Sequence, residues 1–330
     1  MKKIHSIILS IIITLLLTIS ISKADVKVVT SIKPIHSLAS YVMDGVGKPD
    51  VIVDGYNSPH GFSLKPSHAK MIEKADLIIW VGEDLEAFLE KPLKTIAKNA
   101  VNVEIMDLKG IKKLKFREKN IFEGHDDHGH GHKEHKEHGH DEHKEHGHKE
   151  KKHNDHGHEG HAHGKHDPHV WLDPMNAKVI VKEIEIQLVK LDPNNSSKYK
   201  ANSKKIQSEL NNLTKNINKD LKKNLRFVVF HDAYQYFENR FGIKVLGALT
   251  VNPDVLPGAA QLSEIREVIE HEKVNCLFSE PQFNPAIIKS IAKDTKVKTG
   301  VLDPLGATID KGKRMYTELL SNMYSSFKGC

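Results

Sequence analysis

The 330 residues carry 38% hydrophobic and 28% charged side chains and only two cysteines. That apolar share suffices for real cores and excludes a wholly disordered chain. Two cysteines exclude a disulfide-dense scaffold and any four-cysteine zinc or iron–sulfur site. Net charge is +6, falling to +3 once the acid-free residues 1–24 are set aside, so no global basic field exists and nucleic acid is discounted as a partner. The unusual count is histidine, 23 in all with 16 between His125 and His166. Imidazole is a favoured ligand of zinc, copper, nickel and iron, so metal leads the functional possibilities.

The chain opens with Met1-Lys2-Lys3, then an almost wholly apolar run over residues 7–21, then Ser22-Lys23-Ala24. A positive start, an apolar stretch and small residues before a cleavage point make a secretory signal peptide over residues 1–24, cut before Asp25. A transmembrane anchor is the other reading, but the run falls short of the roughly 20 residues a span requires, and polar sequence follows it directly. The mature protein is therefore expected to be soluble, exported and periplasmic. Export makes Cys276 and Cys330 readable as a disulfide closing a loop of about 55 residues, worth roughly 4 kcal/mol in chain entropy. A buried thiol and a free terminal one are the alternative.

After Asp25, β-branched runs alternate with helical spacing. Residues 26–32, 50–54, 76–81 and 101–106 read as strands, and 34–43, 65–74 and 85–98 as helices. This rhythm implies a parallel sheet with helices on its faces. It breaks at residues 125–166, which hold histidine, glycine, lysine, acids and one asparagine, with a single alanine as the apolar content. Such a stretch buries no core and is expected to be a disordered metal-binding loop. Its candidate ligands are His125, His128, His130, His132, His135, His138, His140, His143, His146, His148, His153, His156, His158, His161, His163 and His166.

Residues 177–191 read as the next helix, and Asp192-Pro193 breaks it. Residues 194–223 read as a long polar helix whose Ile206, Leu210, Leu213, Ile217 and Leu221 form one narrow apolar stripe. That stripe suits a helix connecting two domains. A second series follows, with strands over 226–230, 244–249, 274–279 and 297–302 and helices over 234–241, 261–272, 285–293 and 311–325. The expected fold is thus α/β, two lobes each with a parallel sheet flanked by helices. The lobes span residues 25–191 and 224–330, with a linking helix over 192–223 between them.

Ligands of open parallel sheets sit beyond the carboxyl ends of the strands. The metal-capable residues expected there are His60 after the second strand, His231 ending the fifth, Glu280 after the seventh and Asp303 after the eighth. His169 lies where the histidine-rich stretch rejoins the fold. Three neutral imidazoles and one carboxylate suit tetrahedral zinc, whereas more oxygen ligands would favour manganese. His36, His68 and His271 are expected to be ordinary helix-terminal residues, and Trp80 and Trp171 core residues. Asp232 and Tyr234 could orient His231 or merely pack.

The segments Gly55-Tyr-Asn-Ser-Pro-His60-Gly-Phe-Ser-Leu-Lys-Pro-Ser67, His169-Val-Trp-Leu-Asp-Pro174, Phe230-His231-Asp-Ala-Tyr-Gln-Tyr-Phe237, Ser279-Glu-Pro-Gln-Phe283 and Leu302-Asp-Pro-Leu-Gly306 together resemble the zinc-uptake solute-binding proteins of ABC transporters. The histidine-rich insertion, the linking helix and the late cysteine pair match as well. The resemblance implies a metal site between the lobes with His60, His169 and His231 as zinc ligands. Asp303 is implied as the fourth ligand, with water or a glutamate as alternatives, and Glu280 behind them. Part of the family has a glutamate before the first histidine; this sequence has Pro59 there. Manganese-type relatives place a glutamate where His231 stands. The implied protein is no enzyme but a monomeric carrier of Zn2+ that docks on a membrane permease, takes no other small molecule, and uses the histidine-rich loop as a zinc buffer or shuttle. A carrier of manganese or another divalent metal, a secreted zinc hydrolase and an extracellular zinc sponge are the alternatives. No His-Glu-x-x-His motif supports the hydrolase.

Overall fold

The computed structural model describes residues 25–122, 165–253 and 255–330. The expected signal peptide and the histidine stretch as far as His163 lie outside the described residues; His166 lies within them. Among the described residues no helix is long and apolar enough to cross a membrane.

The first sheet is parallel, with β1 (Val28–Ile32), β2 (Asp50–Val53), β3 (Leu77–Trp80) and β4 (Val101–Glu104) in spatial order β2-β1-β3-β4. Thr30 sits opposite Val51 on one side and Ile79 on the other. Its two central strands are buried along their whole length, β3 as a continuous apolar run and β1 with Thr30 and Ser31 among its apolar residues, as a sheet covered on both faces requires. The flanking helices are α1 (Lys33–Val42), α2 (Pro66–Glu73) and α3 (Glu83–Thr95). Pro34 and Pro66 stand in the first turns of α1 and α2, where a missing N–H breaks no helical bond. The strand expected over 101–106 ends early, because residues Ile105–Asp107 wind into a 3-10 turn.

The second sheet repeats this topology with β5 (Arg226–His231), β6 (Lys244–Thr250), β7 (Cys276–Ser279) and β8 (Lys298–Val301) in order β6-β5-β7-β8, again parallel. In each sheet the chain winds first to one side of the initial strand and then to the other. The reversal opens a crevice at the carboxyl ends of the first and third strands. Between the sheets lie α4 (Pro174–Leu191) and α5 (Ser196–Asp220). The Asp173 carboxylate caps α4 by accepting from the Met175 N–H at 2.8 Å, which starts the helix three residues before the periodicity suggests. α5 has 25 residues and so spans about 37 Å. Its one buried stripe includes Tyr199, Ile206, Leu210 and Ile217, each isoleucine or leucine worth roughly 1.5–3 kcal/mol when buried.

The remaining helices are α6 (Gln235–Phe241), α7 (Ala259–His271), α8 (Ala286–Thr295) and α9 (Met315–Lys328). α9 begins at Met315 rather than 311 because the preceding segment is drawn onto the first lobe. Lys311 pairs with Asp54 at 2.7 Å and Lys313 with Asp44 at 2.6 Å, while Ser37 Oγ donates to the Gly312 carbonyl at 2.7 Å. α5 packs against α4 and α1 and also against α9.

One continuous apolar core runs from Ile32 and Ile79 of the first sheet to Phe227 and Phe278 of the second. A smaller cluster built on Val228, Leu246, Ile265 and Leu277 covers the other face of the second sheet. Sliding the lobes apart would expose the shared core to water, which limits how far they move. Residues 120–122 cross to the second sheet, where the Phe122 N–H donates to the Leu246 carbonyl and the Ala248 N–H to the Asn120 carbonyl, both at 2.9 Å. This strap covers the outer edge of β6. Cys276 and Cys330 form the expected disulfide, with Cα atoms 5.9 Å apart, tying the end of the chain to β7.

Candidate metal centre

His231 is the last residue of β5, so the strand itself aims its ring beyond the carboxyl end of the sheet. His169 immediately precedes the 3-10 turn Val170–Leu172, whose Trp171 is fully buried. Trp171 Nε1 donates to the Pro304 carbonyl at 2.8 Å, and the Tyr316 hydroxyl donates to the Trp171 carbonyl at 2.5 Å. His60 lies in the turn that follows β2 and is half-buried, whereas His169 and His231 are buried. One ring nitrogen from each of the three lies within 4.8 Å of the others, and the ring centroids are 5.1–5.7 Å apart. The three come from sequence positions more than a hundred residues apart at the extremes, and the fold alone brings them together.

Two of the rings are braced from behind. His169 Nδ1 is 2.6 Å from Asp167 Oδ1, and His231 Nδ1 is 2.8 Å from both oxygens of Glu280. The two Nε2 atoms face each other at 3.3 Å. A carboxylate accepts, so each Nδ1 carries the proton and each Nε2 is left with its lone pair towards the cavity. That is the tautomer a metal requires, and the brace raises the basicity of the ligand. Burial, aided by the neighbouring His231, holds His169 well below the usual histidine range. Burial also disfavours the charged form of His231, but Glu280 outweighs it and raises that pKa. Burial pushes the Asp167 carboxyl up to about 7.

The cavity the rings share is about 10 Å³, room for roughly one water-sized sphere. An ion fits there. Phe283 closes one side, edge-on to His231 with centroids 5.8 Å apart.

Asp303, expected as the fourth ligand, is not brought into the histidine cluster. Its Oδ1 accepts from Gln282 Nε2 at 3.0 Å, and its Oδ2 from both the N–H and the hydroxyl of Thr308 at 3.0 Å. The loop bends so that these three donors, not the cleft, satisfy the carboxylate. Glu280 stands behind His231, on its Nδ1. Asp232 does not brace His231: it pairs with Arg117 at 2.8 Å, and Arg117 also pairs with Glu238 at 2.8 Å. The Tyr234 ring is fully buried. His36 Nε2 contacts the Pro49 carbonyl at 3.1 Å, and His68 Nδ1 accepts from the Lys65 N–H, away from the cleft. His166 pairs through its backbone with Lys115 at the root of the histidine-rich stretch.

Sequence reasoning missed Asp167 and Arg117. The run Asp167-Pro168-His169 carried a local signal, a carboxylate two residues before a candidate ligand. Nothing near Arg117 announced two acidic partners more than a hundred residues away.

Residues 28–330 match the family described as zinc-uptake complex component A, periplasmic. The chain is 49% identical over 305 residues to the high-affinity zinc uptake system protein ZnuA of Brucella abortus (strain 2308), spanning 92% of this chain and 91% of that protein. It is 38% identical over 320 residues to the protein of the same name from Yersinia pestis, spanning 96% of this chain and 94% of that one. Among solved structures, a crystal structure of ZnuA superposes with a TM-score of 0.69 over 92% of this chain and 99% of that one, at 21% identity. That likeness speaks to the two-lobed α/β fold.

Proposed function

This chain belongs to the family of periplasmic zinc-uptake components, and from that premise we propose that it is the zinc-binding carrier of an ABC importer. It captures one Zn2+ between its lobes through His60, His169 and His231 and delivers it to a membrane permease. The observation that carries the reading is the convergence of three histidine nitrogens, two of them on rings whose other nitrogen is held by a buried carboxylate. Three nitrogens and one further position suit zinc, a borderline-soft ion content with four ligands. Manganese favours more oxygen, and the cluster as built offers none from Asp303.

Catalysis is no part of this proposal. The small cavity supports binding of an ion. Residues 1–24 are read as the signal peptide that exports the chain, which then works as a monomer. The histidine-rich stretch serves as an auxiliary zinc buffer. Imidazoles bind metal only when neutral, so zinc held there weakens as pH falls through about 6.5.

A competition titration with zinc and manganese tests the reading, on the full chain and on a variant lacking residues 125–166. One tight zinc per chain is expected in both, weakened more than about a hundredfold by His231→Ala. Loss of tight zinc on deleting the stretch, or a preference for manganese, would refute it.

A further inference from the structure

With zinc as the cargo, the reading on which this step rests, one of the side chains lining the cavity is left with an unexplained atom. Gln282 lines the same cavity as the three histidines. Its Nε2 donates to Asp303 Oδ1 at 3.0 Å. Its Oε1 is screened from solvent and has no hydrogen-bond partner among the described residues. The amide cannot be turned over, because a carboxylate accepts and the NH2 end must face it. A buried amide oxygen without a donor carries the full desolvation cost of that group. An acceptor held in this way beside a cationic cargo is suited to a donor that arrives with the cargo.

Asp303 completes the picture. It takes three hydrogen bonds, one from Gln282 and two from Thr308, and to reach the cluster it would have to give up some of them. We infer that Gln282 is a positioning residue that sets cargo specificity: it restrains Asp303 away from the histidines and offers its own carbonyl oxygen to a water on the zinc. The tetrahedron is then three histidine nitrogens and one water. A water on zinc is polarised and donates strongly, so the buried Oε1 gains its missing partner only when zinc is present. Manganese is denied the carboxylate oxygen that would best compensate its poorer fit to imidazole.

The experiment uses the full chain with one equivalent of metal, so that the tight site fills first. Zinc and manganese affinities are measured against a chelator for the natural chain, Gln282→Met, Asp303→Asn and the double variant. Gln282→Met keeps the length of the side chain and removes the amide. It should weaken zinc about 10- to 100-fold and shift the manganese-to-zinc preference upward by about tenfold. Asp303→Asn alone should change zinc affinity less than about threefold, since that carboxylate is no ligand in the zinc form. In the double variant the zinc loss should persist and the manganese gain should vanish. The visible spectrum of the cobalt-loaded forms gives a second readout, with weaker bands expected for Gln282→Met as Asp303 raises the coordination number.

Gln282→Asn, which shortens the amide, guards against a folding defect of the Met variant and should move selectivity the same way. The proposal is overturned if both variants melt normally without metal and leave affinities and spectrum unchanged. It is equally overturned if Asp303→Asn alone weakens zinc by more than about tenfold. A natural chain that holds no tight zinc would instead sink the cargo assignment, before any variant is compared.

Discussion

At the reversal point of the first sheet, β1 is followed by Lys33 and β3 by α3, whose first turn carries Glu86; at the matching point of the second, β5 ends in His231 and β7 is followed by Glu280. The strand order is the same, and each reversal point carries one basic and one acidic residue. The chemistry differs. Lys33 is buried and donates to the carbonyls of Gly306 and Ile309 at 2.6 Å each, so it fastens the second lobe's loop onto the first. Gly306 sits at φ +65, a conformation that favours glycine and turns its carbonyl to the lysine. Glu86 breaks the helical geometry of α3 and turns inward, its Oε2 accepting from the N–H groups of Val81 at 2.7 Å and Gly82 at 3.1 Å. In the second crevice His231 and Glu280 bond to each other and leave Nε2 outward. One topology thus supplies two crevices, the first used up in joining the lobes and the second kept open for an ion.

That contrast predicts a separation of effects, in which changes around the first crevice and the chain end lower stability while changes in the second lower zinc affinity. The largest expected effect is Cys330→Ser, which removes a cross-link of sequence separation 54 and should cost up to about 4 kcal/mol. Urea unfolding of the metal-free protein measures the loss, and hydrogen exchange should place it in the second lobe. Lys33→Met comes next. It strands the Gly306 and Ile309 carbonyls and should cost about 2–3 kcal/mol, read from the same unfolding curves.

Glu86→Gln is smaller and depends on pH. Burial raises the Glu86 pKa from 4.5 to about 7, so the folded state binds a proton that the unfolded state releases. The stability this supplies is whole below about pH 4.5 and is lost as pH rises to about 7. The Gln variant should therefore match the natural chain in acid and exceed it at pH 8, seen as a higher melting temperature. An equal gain at pH 4.5 would show that repacking, not ionisation, is the cause. Glu280→Gln completes the series. Zinc affinity should fall about tenfold, or about 1.4 kcal/mol, with melting of the metal-free protein nearly unchanged. A large melting shift there would erase the contrast between the two crevices.

Much of the architecture was legible because it rests on short-range regularities. The β-branched run before Lys33 and the apolar run around Val228 read as strands, and the stripe Ile206, Leu210, Ile217 reads as one face of a helix. The element ends were less legible: the caps and straps that set them, Asp173 on α4 and Lys311 and Lys313 ahead of α9, act through partners elsewhere. His60, His169 and His231 stood out as histidines at strand ends or re-entry points, and the structure groups them. Asp303 carried the same kind of signal and is nevertheless turned aside.

By itself the sequence determined the two α/β series, the helix between them, the cysteine pair and the three histidines, since each is written in residue type and local spacing. Tertiary structure decided which carboxylate stands behind which imidazole, that Gln282 and Thr308 occupy Asp303, and that Arg117 takes Asp232 from His231. The reason is one of range. Helical and strand periodicity act over a few residues, whereas the partner of a buried polar group is whichever side chain the strand order brings within about 3 Å.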